Sequence, residues 1–223
     1  MDELSGVVIG ATGLTGNLLV NELLKDNSFK NVRVLVRRPL NIIHPKLQQE
    51  IVNFNDIDDY SDKFGEGDII FCCIGTTQKK VKNDKTAYEK IDYAIPVNAA
   101  RIGLSKNFKK YLIISSIGAN ENSSNFYLKL KGRTENKIKE FPYNTISIFR
   151  PGQLLGKRNE NRRGEAILQN ATKFISYFLF GSLKKYHSIN AIDVAKAMVK
   201  ESKLNNHGVH YFEYTEIMDL AHN

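Results

Sequence analysis

Cysteine is scarce in this 223-residue chain, and the two that occur, Cys72 and Cys73, are adjacent within an apolar run. Adjacent cysteines build no disulfide framework and lack the spacing with which metal sites chelate, so no metal is expected, and reduced core thiols in a cytoplasmic protein are. No apolar run approaches the roughly 20 residues that cross a bilayer; the longest, residues 174–180 (FISYFLF), falls far short. No basic, apolar leader opens the chain, because Met1-Asp2-Glu3 leads straight into a strand-like run, and secretion is not expected. Internal repeats are absent too. Positive charge is in excess at +8, yet the 32 Lys and Arg are spread along the whole chain without a recognised motif or interleaved stacking aromatics. A nucleic-acid partner is therefore not expected. What is present, 42% hydrophobic and 25% charged residues, is the composition of an ordinary globular chain with a sizeable core.

The strongest signal is GVVIGATGLTG at residues 6–16. A β-branched run (Val7, Val8, Ile9) meets three glycines spaced Gly10-x-x-Gly13-x-x-Gly16, followed by Leu14, Leu18, Leu19 and Leu23 at helical spacing. The pattern predicts a strand, a tight turn and a helix start. Gly10 lets the chain turn off the strand, Gly13 lets the backbone approach a pyrophosphate, and Gly16 lets the helix pack close to the strand. Phosphates then meet the free N–H groups at the helix N-terminus, so Gly10, Ala11, Thr12, Gly13, Leu14, Thr15 and Gly16 are candidate dinucleotide contacts. A glycine-rich turn that binds nothing is the alternative.

Further strand patterns follow at residues 32–36 (VRVLV), 50–54 (EIVNF), 69–77 (IIFCCIGTT), 109–116 (KKYLIISS), 144–150 (NTISIFR) and 209–214, and helical patterns include residues 88–103, disturbed near Pro96, and a helix beginning near Phe126. This alternation predicts an α/β chain with a parallel sheet covered by helices on both faces. Residues 79–85 read as a basic loop, 156–164 as a charged loop, 166–180 as an aromatic-rich helix, and a last helix starts at about Ser188. The expected organisation is one domain, residues 1–223, of which about 152–223 forms a small cap on the substrate side.

The second strand ends in Arg37-Arg38-Pro39 and carries no acid where a ribose-binding carboxylate usually stands about 20 residues beyond the glycines. Guanidinium groups bind a 2′-phosphate in bidentate, charge-assisted fashion, so NADP(H) is expected rather than NAD(H). Two solvated arginines are the plainer reading. Asp56, just past the third strand, is a candidate adenine contact or a helix cap; Cys73, Ile74, Gly75 and Thr76 end the fourth strand at the crevice where open α/β sheets bind ligands.

Chemistry is suggested by Ser116, Tyr127 and Lys131. Tyr127 and Lys131 form a Tyr-x-x-x-Lys on one face of a helix, where an ammonium favours phenolate and brings a group of ordinary pKa near ~10 closer to acid/base use. Ser116 at the strand end then holds a substrate carbonyl while Tyr127 exchanges its proton. A surface tyrosine beside a solvated lysine is the alternative.

GATGLTG, the basic end of the second strand, CIGTT, SSIGA, YLKLK and FRPGQLLG together resemble the short-chain dehydrogenase/reductase superfamily, and within it the Tat-interacting-protein-like oxidoreductase group. The resemblance covers residues 6 to about 156. It implies a doubly wound Rossmann fold, NADP(H) use, and Ser116, Tyr127 and Lys131 as the catalytic set, with Ser115 as a rival serine and a further cofactor-side residue. It also implies that Lys131 bonds the nicotinamide ribose and that Pro151 and Gly152 lie near the nicotinamide. The expected function is hydride transfer to or from a small carbonyl or alcohol; the other function the resemblance implies is a non-enzymatic NADP(H)-binding regulator, with residues 174–180 as a homodimer or partner surface.

Overall fold

A computed structural model describes residues 3–76, 84–156 and 186–223. Seven parallel strands form the main sheet: β1 (Leu4–Ile9), β2 (Phe29–Val36), β3 (Leu47–Ile51), β4 (Ile69–Cys72), β5 (Lys110–Ile114), β6 (Thr145–Phe149) and β9 (Gly208–Phe212). Their spatial order is β3-β2-β1-β4-β5-β6-β9, and each neighbouring pair is parallel. The order reverses between β1 and β4, which opens a crevice beyond the carboxyl ends of these two strands. Two short strands, β7 (Leu154–Leu155) and β8 (Ile189–Asn190), pair separately.

Each central strand is buried on both faces, and strand alternation explains why its apolar run is almost unbroken. In β1, Val8 joins the cluster of Leu19, Leu23, Phe71, Phe149, Val194 and Met198. Its neighbours Val7 and Ile9 face the opposite layer of Tyr60, Phe64, Ile70, Ala99, Tyr111 and Ile148. The first layer is closed by α1 (Leu14–Lys25), α6 (Ala191–Ser202) and α7 (Tyr214–His222), and the second by α2 (Ile57–Phe64), α4 (Ile95–Ser105) and α5 (Phe126–Lys139). A short α3 (Lys85–Glu89) runs into α4 through a π-helical turn at Lys90–Ala94.

That π turn is the disturbance expected near Pro96. A proline has no N–H to give the carbonyl four residues back; that carbonyl, of Asp92, lies 3.1 Å from the Thr134 hydroxyl, whose one proton it shares with the Leu130 carbonyl at 2.9 Å.

Three elements differ from the sequence reading. The third strand is Leu47–Ile51 rather than residues 50–54, because LQQEI is an edge strand whose register is fixed by pairing with Val32–Val36 and not by an apolar pattern. Helices α2 and α7 were not anticipated; Asp56 caps the first, and a reciprocal Glu213–Glu216 capping box starts the second. The C-terminal segment also contributes largely to the main body: β9 is the seventh strand, Phe212 stacks on Phe149 with ring centroids 4.8 Å apart, and α6 lies in the α1 layer. Residues 79–83, the 156–164 loop beyond Gly156 and the 166–180 stretch, including its aromatic patch, lie outside the described residues.

Candidate active site

The turn after β1 leaves room for backbone alone. Gly10 has φ +86°, and a Cβ there would stand 2.7 Å from the Cys73 carbonyl carbon and oxygen. One on Gly16 would stand 2.2 Å from the Gly10 oxygen. Gly13 is the N-cap of α1, makes no side-chain cap, and is followed by no acid in the first turn. Together with exposed Thr12 and Gly13, this leaves an open, electropositive helix N-terminus. Ala11, Thr15 and Gly16 are buried, Gly10 and Leu14 are half-buried, and Thr12 and Gly13 are exposed. Cys73 hydrogen-bonds through its N–H to the Ile9 carbonyl at 2.8 Å, which sets Ile74, Gly75 and Thr76 directly beside this turn.

At the other end of the crevice Arg37 and Arg38 are exposed just past β2, with no ion-pair partner among the described residues. Asp56 is committed differently: one of its oxygens accepts the N–H groups of Asp58 and Asp59 at 3.1 and 3.2 Å, the capping role.

On the β4–β5 side, Asn125 caps α5 by accepting from the N–H groups of Tyr127 and Leu128. One turn into that helix the Lys131 ammonium stands 6.0 Å from the Tyr127 ring centroid. Lys131 is buried, forms an ion pair with buried Asp92 at 2.9 Å, and reaches toward the Ile74 carbonyl at 3.5 Å. Burial works against the ammonium, but the Asp92 carboxylate, aided by Tyr127, outweighs it and holds the lysine above its ordinary pKa. Asp92 also accepts the Thr76 N–H at 2.9 Å. Tyr88 packs edge-on against Tyr127, donates to the Thr76 carbonyl at 3.0 Å, and is pushed above its ordinary pKa by burial and by Asp92.

The two serines at the end of β5 have different surroundings. Ser115 is buried and donates to Glu135, whose carboxylate is also forked by Arg150, with Nε at 3.0 Å. Arg150 in turn lies over the Tyr211 ring, 4.5 Å from its centroid. Ser116 is half-buried; among the described residues its hydroxyl donates to the adjacent Ile117 carbonyl at 3.2 Å, and its own carbonyl accepts the Ala119 N–H at 3.1 Å. Pro151 accepts the Ile117 N–H at 3.0 Å, and Gly152 is pressed against the His187 carbonyl, so both brace the β5 and β6 exits.

A family model described as NAD(P)H-binding matches residues 10–203. The chain belongs to the NAD(P)H-binding family. Within reach of its sequence are Protein HTATIP2 of Rattus norvegicus, 34% identical over 89% of this chain and 81% of that protein, and Protein FMP52, mitochondrial, of Kluyveromyces lactis, 32% identical over 72% of each. Among solved structures, the UDP-glucose 4-epimerase of Thermotoga maritima covers 98% of this chain and 81% of its own at TM-score 0.71 and 15% identity. The Bordetella bronchiseptica enzyme WbmH in complex with NAD+ covers 94% and 75% at TM-score 0.72 and 14% identity. These two show the fold alone, a Rossmann-type parallel sheet covered by helices.

The cradle formed by Gly10, Gly13 and the uncapped start of α1 fits the pyrophosphate of this NAD(P)H-binding family, because any side chain would fill it and the free N–H groups call for an anion. The structure brings Tyr127, Lys131, Gly75 and Thr76 together and leaves Arg37 and Arg38 at the far end. It adds three residues that the sequence reading passed over: Asp92, Glu135 and Arg150. Only Asp92 had a signal, as an acid just before the proline that disturbs its helix.

Proposed function

We propose that the chain is an NADP(H)-dependent oxidoreductase for a small carbonyl or alcohol, in which Ser116, Tyr127 and Lys131 handle the substrate oxygen. The observation that carries this reading is the Tyr127–Lys131 pair on one face of α5, held beside the Ile74–Thr76 strand end where a dinucleotide on the glycine turn would run. When bound, NADP(H) would supply or accept the hydride. Ser116, whose hydroxyl bonds its neighbour's carbonyl and no other group among the described residues, would donate to the substrate oxygen, and Tyr127 would give or take the proton there. Lys131 would steady the phenolate by charge. Ser115 is spent on Glu135, which favours Ser116 for the substrate. Arg37 and Arg38 would hold the 2′-phosphate.

The test is turnover of a reactive carbonyl panel with NADPH by the parent chain and by Tyr127→Phe. Loss of about 10²–10⁴-fold with unchanged NADPH affinity supports the role; unchanged turnover refutes it. Tight NADPH binding with no turnover by the parent would select the regulator reading instead. The reduced thiols fit a cytoplasmic setting, whereas the yeast relatives carry a mitochondrial name; fractionation of tagged chain decides between them. No helix of the described residues is long and apolar enough to cross a membrane.

A further inference from the structure

Among the described residues, the ion pair between Asp92 and Lys131 is the one whose two side chains are both almost wholly buried, at 0% and 4% exposure. It sits where α5, the π-helical turn and the exit of β4 meet. A Cβ built on Gly75 would lie 3.8 Å from the Asp92 carboxylate and 3.9 Å from the Lys131 ammonium, so the pair is roofed by bare backbone. The two oxygens of Asp92 differ: Oδ2 takes the Thr76 N–H at 2.9 Å, whereas Oδ1 accepts no hydrogen bond among the described residues and faces the ammonium at 2.9 Å as an ion pair. The backbone carbonyl of Asp92 is tied to α5 through Thr134. A π turn adds one residue to a helical turn, and such turns are frequent at functional sites; the buried Asp92 lies within this one.

The other titratable groups around the pair are phenols and a thiol, not carboxylates. They are Tyr88 from α3, Tyr127 from α5 and Cys72 from β4. Arg133, on the outer side of α5, is engaged with Glu89 at 2.8 Å and lies over the Tyr93 ring. Asp92 is thus the one counter-charge that the described residues offer to Lys131.

We infer that Asp92 is a positioning residue of this site, fixing the Lys131 ammonium against the cofactor-side edge of β4 and keeping it charged throughout the working pH range. The inference rests on the proposed role of Lys131 for its meaning in turnover, but not for its test. An ammonium buried without a counter-charge loses its proton rather than remain ionised. Asp92→Asn keeps the shape of the side chain and its acceptor for Thr76 while removing the charge. Asp92→Glu keeps the charge.

The experiment is a pH titration of lysine side-chain carbon and nitrogen resonances in the full chain, with the Lys131 signal assigned by its loss in Lys131→Arg. In the parent, Lys131 should stay charged beyond the titration of the exposed lysines; a Lys131 that titrates with them or earlier overturns the inference without recourse to any Asp92 variant. In Asp92→Asn the Lys131 midpoint should fall by two pH units or more, about a hundredfold in proton affinity, and Asp92→Glu should return it toward the parent. A residue of merely structural importance would lower the melting temperature of Asp92→Asn and leave that midpoint where it was, which also overturns the inference. If the parent reduces carbonyls, the kcat profile of Asp92→Asn should gain a new ionisation at the shifted Lys131 midpoint. If the parent reduces none, the oxidoreductase reading fails while the titration still decides the role of Asp92.

Discussion

Replacing Gly16 by alanine sets two effects of known sign against each other. Gly16 lies in α1, and alanine in a helix is favoured over glycine by about 0.5–1 kcal/mol. Propensity alone therefore makes Gly16→Ala stabilising. Packing says the reverse, because the new methyl would be 2.2 Å from the Gly10 carbonyl oxygen, 2.9 Å from its carbon and 3.1 Å from the Cα of Ala11. All three are backbone atoms of the turn, so no side chain can swing aside, and overpacking of this kind costs about 1–3 kcal/mol. The net is a loss of up to about 2.5 kcal/mol, centred on about 1 kcal/mol, which in a chain of this size lowers the melting temperature by about 2–4 °C at that centre. The same displacement opens the cradle for phosphate, and NADPH affinity should fall at least about tenfold, or ~1.4 kcal/mol. Thermal melts with and without NADPH report both effects. At a concentration 100 times the parent Kd, the nucleotide stabilises the parent by about 2.7 kcal/mol and a tenfold weaker variant by only about 1.4 kcal/mol. A Gly16→Ala chain that melts at or above the parent temperature and gains as much from NADPH would refute the argument that α1 is held against the turn by the missing side chain.

Replacing Arg37 and Arg38 together by alanine should weaken NADPH binding by about tenfold to a hundredfold, the worth of lost charge-assisted hydrogen bonds, and leave NADH binding nearly unchanged in calorimetry; an equal loss for both nucleotides would remove the arginines from any phosphate role. Ser115→Ala should lower stability by about 1–3 kcal/mol, since buried Glu135 loses a donor, yet retain turnover, whereas Ser116→Ala should melt like the parent and lose turnover; the reverse pattern would exchange the two serines. Asp26 is opposed by burial but held below its ordinary carboxylate pKa by hydrogen bonds from Lys203 and Ser28. A depressed folded-state value means stability that is present above the unfolded value of about 3.9 and is lost as pH falls through the folded one. Urea midpoints should therefore show Asp26→Asn less stable than the parent at pH 6, with the gap closing below pH 4; a gap that persists at pH 2 would count against the linkage.

The parts of the fold that were legible in the sequence are those whose cause is local. Three glycines at fixed spacing declare a turn because a Cβ at each would meet backbone, and Val7, Val8 and Ile9 declare a doubly covered strand because both faces need an apolar side chain. Polar LQQEI gives no such sign, since an edge strand takes its register from its neighbour. Helix α2 buries only Tyr60 and Phe64, too thin a stripe to stand out, although Asp56 did mark its start. Tyr127 and Lys131 share a face by simple helical spacing. Asp92 belongs with them only through the approach of α5 to the π turn, and Glu135 meets Arg150 and Ser115 only once β5 and β6 lie side by side. Such pairings are properties of topology, which no window of sequence contains.

The seventh strand gives the molecule a built-in order of assembly. β9 pairs in parallel with β6, so the chain must travel from Phe149 to Gly208 before this ladder can begin, and closing so long a loop is slow compared with zipping nearby segments. Until it closes, Phe149 lacks the ring it stacks on, and Arg150 lacks the Tyr211 face beneath it. On the ribosome the glycine turn emerges before β9 and can pack early, while the clamp that steadies Glu135 and the β5 exit waits for β9. A chain stopped short of β9 would thus keep the glycine turn and leave the β5 exit without its clamp.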